Sequence, residues 1–178
     1  MDVSDIKVLS PIGGEAKRLK PLTVEISKAC VRIANRPLIE VPMLCLAFQG
    51  VKTFILGVKG YLNYKSLNDY FGDGTGFSAR YHIEPRIHTK YQPNENDHGS
   101  ADSLRINLDY YDIEGLVFIM QSDNIFDISM RDVMNFHNRK KALMTIILKE
   151  VEDTREFGVA VMDGDGRIKT FLEKPEKS

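Results

Sequence analysis

Residues 51–58, VKTFILGV, restrict the fold more than any other stretch of the chain. They are rich in β-branched and apolar residues, the composition of a strand buried inside a sheet. Similar short runs recur at Ile6 to Ile12 and Leu116 to Met120, and further strands are expected over Phe77 to Ile83, Ala142 to Lys149, Gly158 to Met162 and Arg167 to Leu172. Helical patterns separate them. Leu38 to Gln49 carries Ile39, Met43, Leu46 and Ala47 at helical spacing, with Gly50 as its stop. Tyr61 to Phe71, Ser100 to Tyr110 and Ile128 to Arg139 read as helices too, while the polar stretch Glu84 to His98, with its prolines, reads as an exposed loop. Asp163 to Gly166 is a hairpin turn. Strands alternating with helices give a mainly parallel sheet covered on both faces, a three-layer α/β fold. In such a sheet ligands bind beyond the carboxyl ends of the strands, so the loops there are where chemistry is expected.

The first of those loops runs from Gly13-Gly14 through Glu15, Ala16, Lys17, Arg18, Leu19 and Lys20 to Pro21-Leu22-Thr23. Glycines admit backbone N–H groups close to a polyphosphate, and cations neutralise it. Taken alone the pair is equally a tight turn beside a solvated basic face. The spacing G-x-x-x-x-G-K-[ST] of a Walker loop is absent.

The order of residues after the loop adds a resemblance. Gly13-Gly14, Arg18-Leu19, Pro21-Leu22-Thr23, Ile26-Ser27-Lys28 and Arg36-Pro37-Leu38-Ile39-Glu40 follow in sequence, as they do in the sugar-1-phosphate nucleotidylyltransferases. The chain resembles the catalytic domain of that family over nearly its whole length. The resemblance implies a Rossmann-like nucleotidyltransferase domain of α/β/α layers spanning 1–178. The domain is expected to be incomplete at its C-terminal end, since family members continue past Pro175 with a strand bearing a second metal-binding aspartate. Gly13 and Gly14 would hold the nucleotide through backbone groups, and Arg18 and Lys28 would meet the triphosphate and the attacking sugar phosphate. The family's third glycine of the loop is replaced by Ala16, which tolerates fewer backbone conformations.

Three later segments extend the likeness. Gly99-Ser100-Ala101 resembles the family's Gly-Thr-Ala, which reads base and ribose; Ser100 is also a plain helix N-cap candidate. Gln92 would contact the base by the same analogy. Gln121-Ser122-Asp123 follows a strand where the family carries the aspartate that binds Mg²⁺, although an Asp after a strand also serves as a turn residue. Phe157-Gly158-Val159 and Glu173-Lys174-Pro175 resemble the paired sugar-phosphate segments. There Gly158 would admit the sugar, Glu173 would accept its hydroxyls and Lys174 would pair with its phosphate.

The implied reaction joins a nucleoside triphosphate to a sugar-1-phosphate with Mg²⁺. The rival from another class is a non-catalytic regulatory homologue, motivated by Ala16 and Lys17. A transferase with a non-sugar acceptor is disfavoured by the segments at 157–159 and 173–175. A net charge of −1 gives no basic field for nucleic acid. Two cysteines without metal spacing, an acidic N-terminus and the lack of any membrane-length apolar run point to a cytoplasmic protein. His82, His88, His98 and His137 show no metal spacing. Base, sugar and oligomeric state are not legible, and a homo-oligomer stays open.

Overall fold

In the computed structural model, which describes residues 2–92 and 99–175, β1 (Lys7–Ile12) leads to two short antiparallel strands, β2 (Arg32–Ile33) and β3 (Arg36–Pro37). Helix α1 (Glu40–Phe48), β4 (Thr53–Lys59), α2 (Tyr61–Phe71) and α3 (Thr75–Tyr81) follow. Next come β5 (Arg86–Gln92), α4 (Ser100–Tyr110), β6 (Val117–Ile119) and α5 (Met130–Lys140). A hairpin of β7 (Gly158–Met162) and β8 (Ile168–Glu173) ends the chain. The residues cluster into two compact units, 1–139 and 140–178.

The first unit is built on a four-stranded sheet in the order β5-β4-β1-β6, every pair parallel. Register explains why residues 51–58 are apolar throughout. Val8, Ser10 and Ile12 align with Phe54, Leu56 and Val58, and this face joins the main core with Met43 and Leu46 of α1 and Leu67 and Phe71 of α2. Leu9 and Ile55 point the other way and are just as buried, beneath α4. Helices therefore cover both faces, as the parallel topology demands. Two polar devices join the layers. Gln49 at the end of α1 donates to Ile128 O (2.8 Å) and accepts from Met130 N (2.7 Å), which caps α5. Glu40, fully buried, accepts from the hydroxyls of Tyr70 (2.6 Å) and Tyr81 and lies 3.5 Å from Arg36. Burial and this hydrogen bond push both tyrosine hydroxyls above the ordinary phenol range.

Two neighbouring expectations are reversed. Phe77 to Ile83, expected as a strand, lies mostly in helix α3, because Phe77 and Tyr81 stack edge-on at i,i+4 (5.4 Å) and Phe77 also meets Phe71 (5.8 Å). The stretch expected as a loop from Glu84 contains β5, with Pro85 immediately before the strand, where proline costs no ladder hydrogen bond. Residues 93–98, His98 among them, lie outside the described residues. In the second unit, β7 and β8 pair antiparallel around the turn at Asp163–Gly166, where Gly166 N donates to Asp163 O (3.0 Å). Residues 142–149 form no strand, contrary to the pattern, since among the described residues no strand ladder includes them; Leu143 and Met144 are exposed.

Candidate active site

The glycine loop leaves β1 at the carboxyl edge of the sheet and is pinned at several points. Gly14 has φ 88°, a conformation that glycine adopts without steric cost. Its carbonyl accepts from Asn63 Nδ2 (3.3 Å), which also donates to Lys59 O (2.9 Å) at the end of β4. Ala16 is held in the left-handed region at φ 45°, ψ 44°. Its carbonyl accepts both from Thr23 Oγ1 (3.0 Å) and from Leu19 N (2.9 Å). Alanine thus occupies a left-handed position that glycine adopts more readily. Arg18 is exposed on the 3-10 turn Lys17–Leu19 that follows.

Lys28 begins a second 3-10 turn, Lys28–Cys30, whose Ala29 and Cys30 are buried. Ser27 N donates to Ser66 Oγ of α2 (3.0 Å) and Ile39 N to Ala29 O (3.1 Å), so the backbone under Lys28 is fixed from two sides. Burial pushes the Cys30 thiol up to about 12, which leaves it protonated and without nucleophilic character. Asp123 comes from the loop beyond β6, where Met120 N donates to Leu9 O (2.9 Å) and extends the ladder before the chain turns into the open. The Lys28 ammonium donates to Asp123 Oδ2 at 2.5 Å. Two residues far apart in sequence, each assigned a role on motif alone, meet at the mouth of the sheet.

Around them lie two clefts. One, of about 230 Å³, is lined by Gly13, Ala16, Ser27, Lys28, Gln121 and Asp123 among others. The second, of about 290 Å³, includes Gly13, Gly14, Lys59, Gly99, Ser100 and Gln121. Gly13 and Gln121 belong to both, so the clefts are neighbours around one loop. Gly99, rather than Ser100, occupies the N-cap of α4, which leaves Ser100 as the first helical residue facing the second cleft. Gln92 departs from its expected place. It is 2% exposed, its Oε1 accepts from Ser103 Oγ (2.7 Å), and the amide ties β5 to α4 instead of opening to a base. Lys59 was missed by the motif reading; its signal was a cation at the carboxyl end of a strand in a parallel sheet.

In the second unit the remaining candidates come together at the open end of the hairpin. Gly158 is paired in register with Glu173, and Lys174 N donates to Phe157 O (3.0 Å). The side chains of Glu173 and Lys174 are exposed.

The family described as Nucleotidyl transferase matches residues 9–178. The chain belongs to that family. Among curated relatives, the catalytic subunit beta of a mannose-1-phosphate guanylyltransferase from Danio rerio is 30% identical, covering 96% of this chain and 46% of its own length. A glucose-1-phosphate adenylyltransferase from Anaeromyxobacter sp. (strain Fw109-5) is 34% identical, covering 92% of this chain and 41% of itself. The nucleotidyl transferase chain thus spans about half the length of the curated relatives it matches. Of solved structures, the UTP-bound UGPase from Acinetobacter baumannii superposes with a TM-score of 0.75 at 16% identity, over 96% of this chain and 68% of that one. A glucose-1-phosphate thymidylyltransferase from Bacillus anthracis in complex with a sucrose gives a TM-score of 0.73 at 22% identity, over 97% and 65%. These two establish the Rossmann-like nucleotidyltransferase fold. No helix among the described residues is long and apolar enough to cross a membrane.

Proposed function

We propose that this chain acts as a sugar-1-phosphate nucleotidylyltransferase, a reading carried by the meeting of Lys28 and Asp123 beside the glycine loop. A phosphate oxygen of the sugar-1-phosphate attacks the α-phosphorus of a nucleoside triphosphate. The bond from that phosphorus to the bridging oxygen breaks, pyrophosphate leaves with the electron pair, and a nucleotide sugar forms. No protein nucleophile is needed; the work is alignment and neutralisation of anions brought together. Backbone N–H groups at Gly13 and Gly14 and the cations Arg18 and Lys28 hold the triphosphate. Ser100 faces the nucleoside in the second cleft, while Gly158, Glu173 and Lys174 receive the sugar phosphate.

The donor set suits Mg²⁺. Among the described residues no group of three or more His, Cys, Asp or Glu gathers that could hold an ion alone. A single carboxylate, Asp123, beside a phosphate site is how Mg²⁺ is commonly held, with phosphate oxygens and water completing its shell. Held by Asp123, the ion would supply charge neutralisation to the phosphates. Ala16 holds a left-handed conformation that is also open to glycine, so the alanine does not by itself argue for a regulatory homologue. The named activities of the relatives support a sugar-1-phosphate acceptor, and the two free cysteines support a cytoplasmic setting.

The test is pyrophosphate release by the protein with Mg²⁺, a panel of nucleoside triphosphates and hexose-1-phosphates. Turnover is expected with one defined pair, and Asp123→Ala should lower kcat by about 10²–10³-fold. Undiminished Mg²⁺-dependent turnover in that variant would remove the metal role from Asp123. Nucleotide binding without pyrophosphate release across the panel would replace the enzyme with a binding module.

A further inference from the structure

The proposed function asks Lys28 to face a phosphate and Asp123 to face a cation, yet in this structure they face each other at 2.5 Å. They are also the charged residues lining the first cleft. One ammonium cannot neutralise both the carboxylate and a phosphate, and a dication approaching Asp123 alone meets a like charge already seated there. We propose that Lys28 is the resident counter-ion of Asp123, exchanged rather than added to. Its ammonium swings to a phosphate oxygen as the carboxylate takes up a divalent cation, so cation and phosphate bind together and each binds weakly without the other. The proposal rests on the functional reading above.

The geometry suits such an exchange. Lys28 and Asp123 side chains are 43% and 35% exposed, so their pair is solvent-screened and inexpensive to open. The backbone under Lys28 stays fixed by the Ser27–Ser66 and Ile39–Ala29 hydrogen bonds, leaving the flexible four-carbon stem as the moving part. By linkage, whatever the phosphate gains from the cation the cation gains from the phosphate.

Mn²⁺ binding followed by electron paramagnetic resonance, with no nucleotide present, tests the exchange. Lys28→Gln should bind Mn²⁺ about three- to tenfold more tightly than the unaltered chain, from loss of the pair and of one nearby positive charge. Asp123→Asn should bind it less well, and the double variant should be as weak as Asp123→Asn. Lys28→Met also removes the ammonium and should show the same gain, which keeps the test usable if the glutamine variant folds poorly. Lys52→Gln removes the same charge at a surface pair with Glu84 (3.5 Å) and should have no effect. A Lys28→Gln protein no tighter than the unaltered chain, or an equal gain in Lys52→Gln, overturns the proposal. If instead Asp123→Asn binds as the unaltered chain does and the lysine gain survives in the double variant, Asp123 is not the cation ligand and the metal assignment falls with it.

Discussion

Ala16 occupies a left-handed conformation, φ 45°, in which L-residues are strained by about 1–2 kcal/mol. The strain is held by the two hydrogen bonds to its carbonyl, from Thr23 Oγ1 and Leu19 N. Glycine at this position would relieve the strain but add about 0.5–1 kcal/mol of chain entropy to the unfolded state. Ala16→Gly should therefore be neutral or stabilising by up to about 1 kcal/mol in urea unfolding. A β-branched residue is a sharper outlier at positive φ, so Ala16→Val should lose about 2 kcal/mol. A valine variant as stable as the unaltered chain would mean that the loop does not hold this turn. The same residue marks how far motif reading reaches. Lys28 and Asp123 were singled out by the resemblance, and the fold brings the two side chains together. Gln92 was not, since an amide serves equally well as a ligand donor or as a brace, and only its burial against Ser103 decides.

At the scale of elements, the long buried strand and the amphipathic helices were readable, whereas α3 and β5 were transposed. The segment FSARYHI places apolar groups at 77, 79, 81 and 83, which is strand alternation; Phe77 and Tyr81 also satisfy i,i+4. Tertiary contact chooses the helix, through the Phe71 and Tyr81 rings and the buried Glu40 carboxylate. β5 looked like a loop because it lies at the sheet edge and carries polar residues whose partners come from α4 and the turn after it. Lys90 stands over the Tyr110 ring (3.5 Å), and His88 lies beside Tyr111. The seat of α4 depends in turn on Gly57 in β4. A Cβ there would collide with Asn107 Nδ2 and lie 2.9 Å from its Cγ. Asn107 is fully buried and donates to Ser103 O (2.7 Å), so it has little room to yield. Gly57→Ala should cost about 1–3 kcal/mol of stability. By displacing α4 it should also weaken nucleotide binding at the cleft that Ser100 and Ser103 line. In a double-mutant cycle Asn107→Ala should recover part of the loss; strictly additive effects would show that the two residues do not collide.

On the scale of the whole chain, every residue of the main hydrophobic cluster lies in the unit 1–139, and so do both clefts with the Lys28–Asp123 pair. The second unit contributes a two-stranded hairpin with exposed apolar residues such as Phe171 and Leu172, together with residues 142–149, which lie outside helix and strand. Pattern reading expected a strand there because Leu143 to Leu148 is apolar and β-branched, but composition proposes a strand and only a hydrogen-bonding neighbour completes one. Exposed backbone outside helices and strands is where proteases cut, and Lys141, Lys149 and Arg155 offer trypsin sites within or beside it. Limited trypsin digestion should thus leave a fragment ending near residue 140. That fragment keeps the parallel sheet with its helices on both faces, so it should unfold in one cooperative transition, read by circular dichroism in urea. It keeps the glycine loop, Lys28 and Asp123, so it should still bind nucleoside triphosphate with Mg²⁺. Without Gly158, Glu173 and Lys174, it should gain nothing in thermal stability from a sugar-1-phosphate. A fragment that melts without cooperativity would mean that the core of the first unit depends on the second. Undiminished stabilisation by the sugar phosphate would move that site out of the hairpin and into the clefts of the sheet.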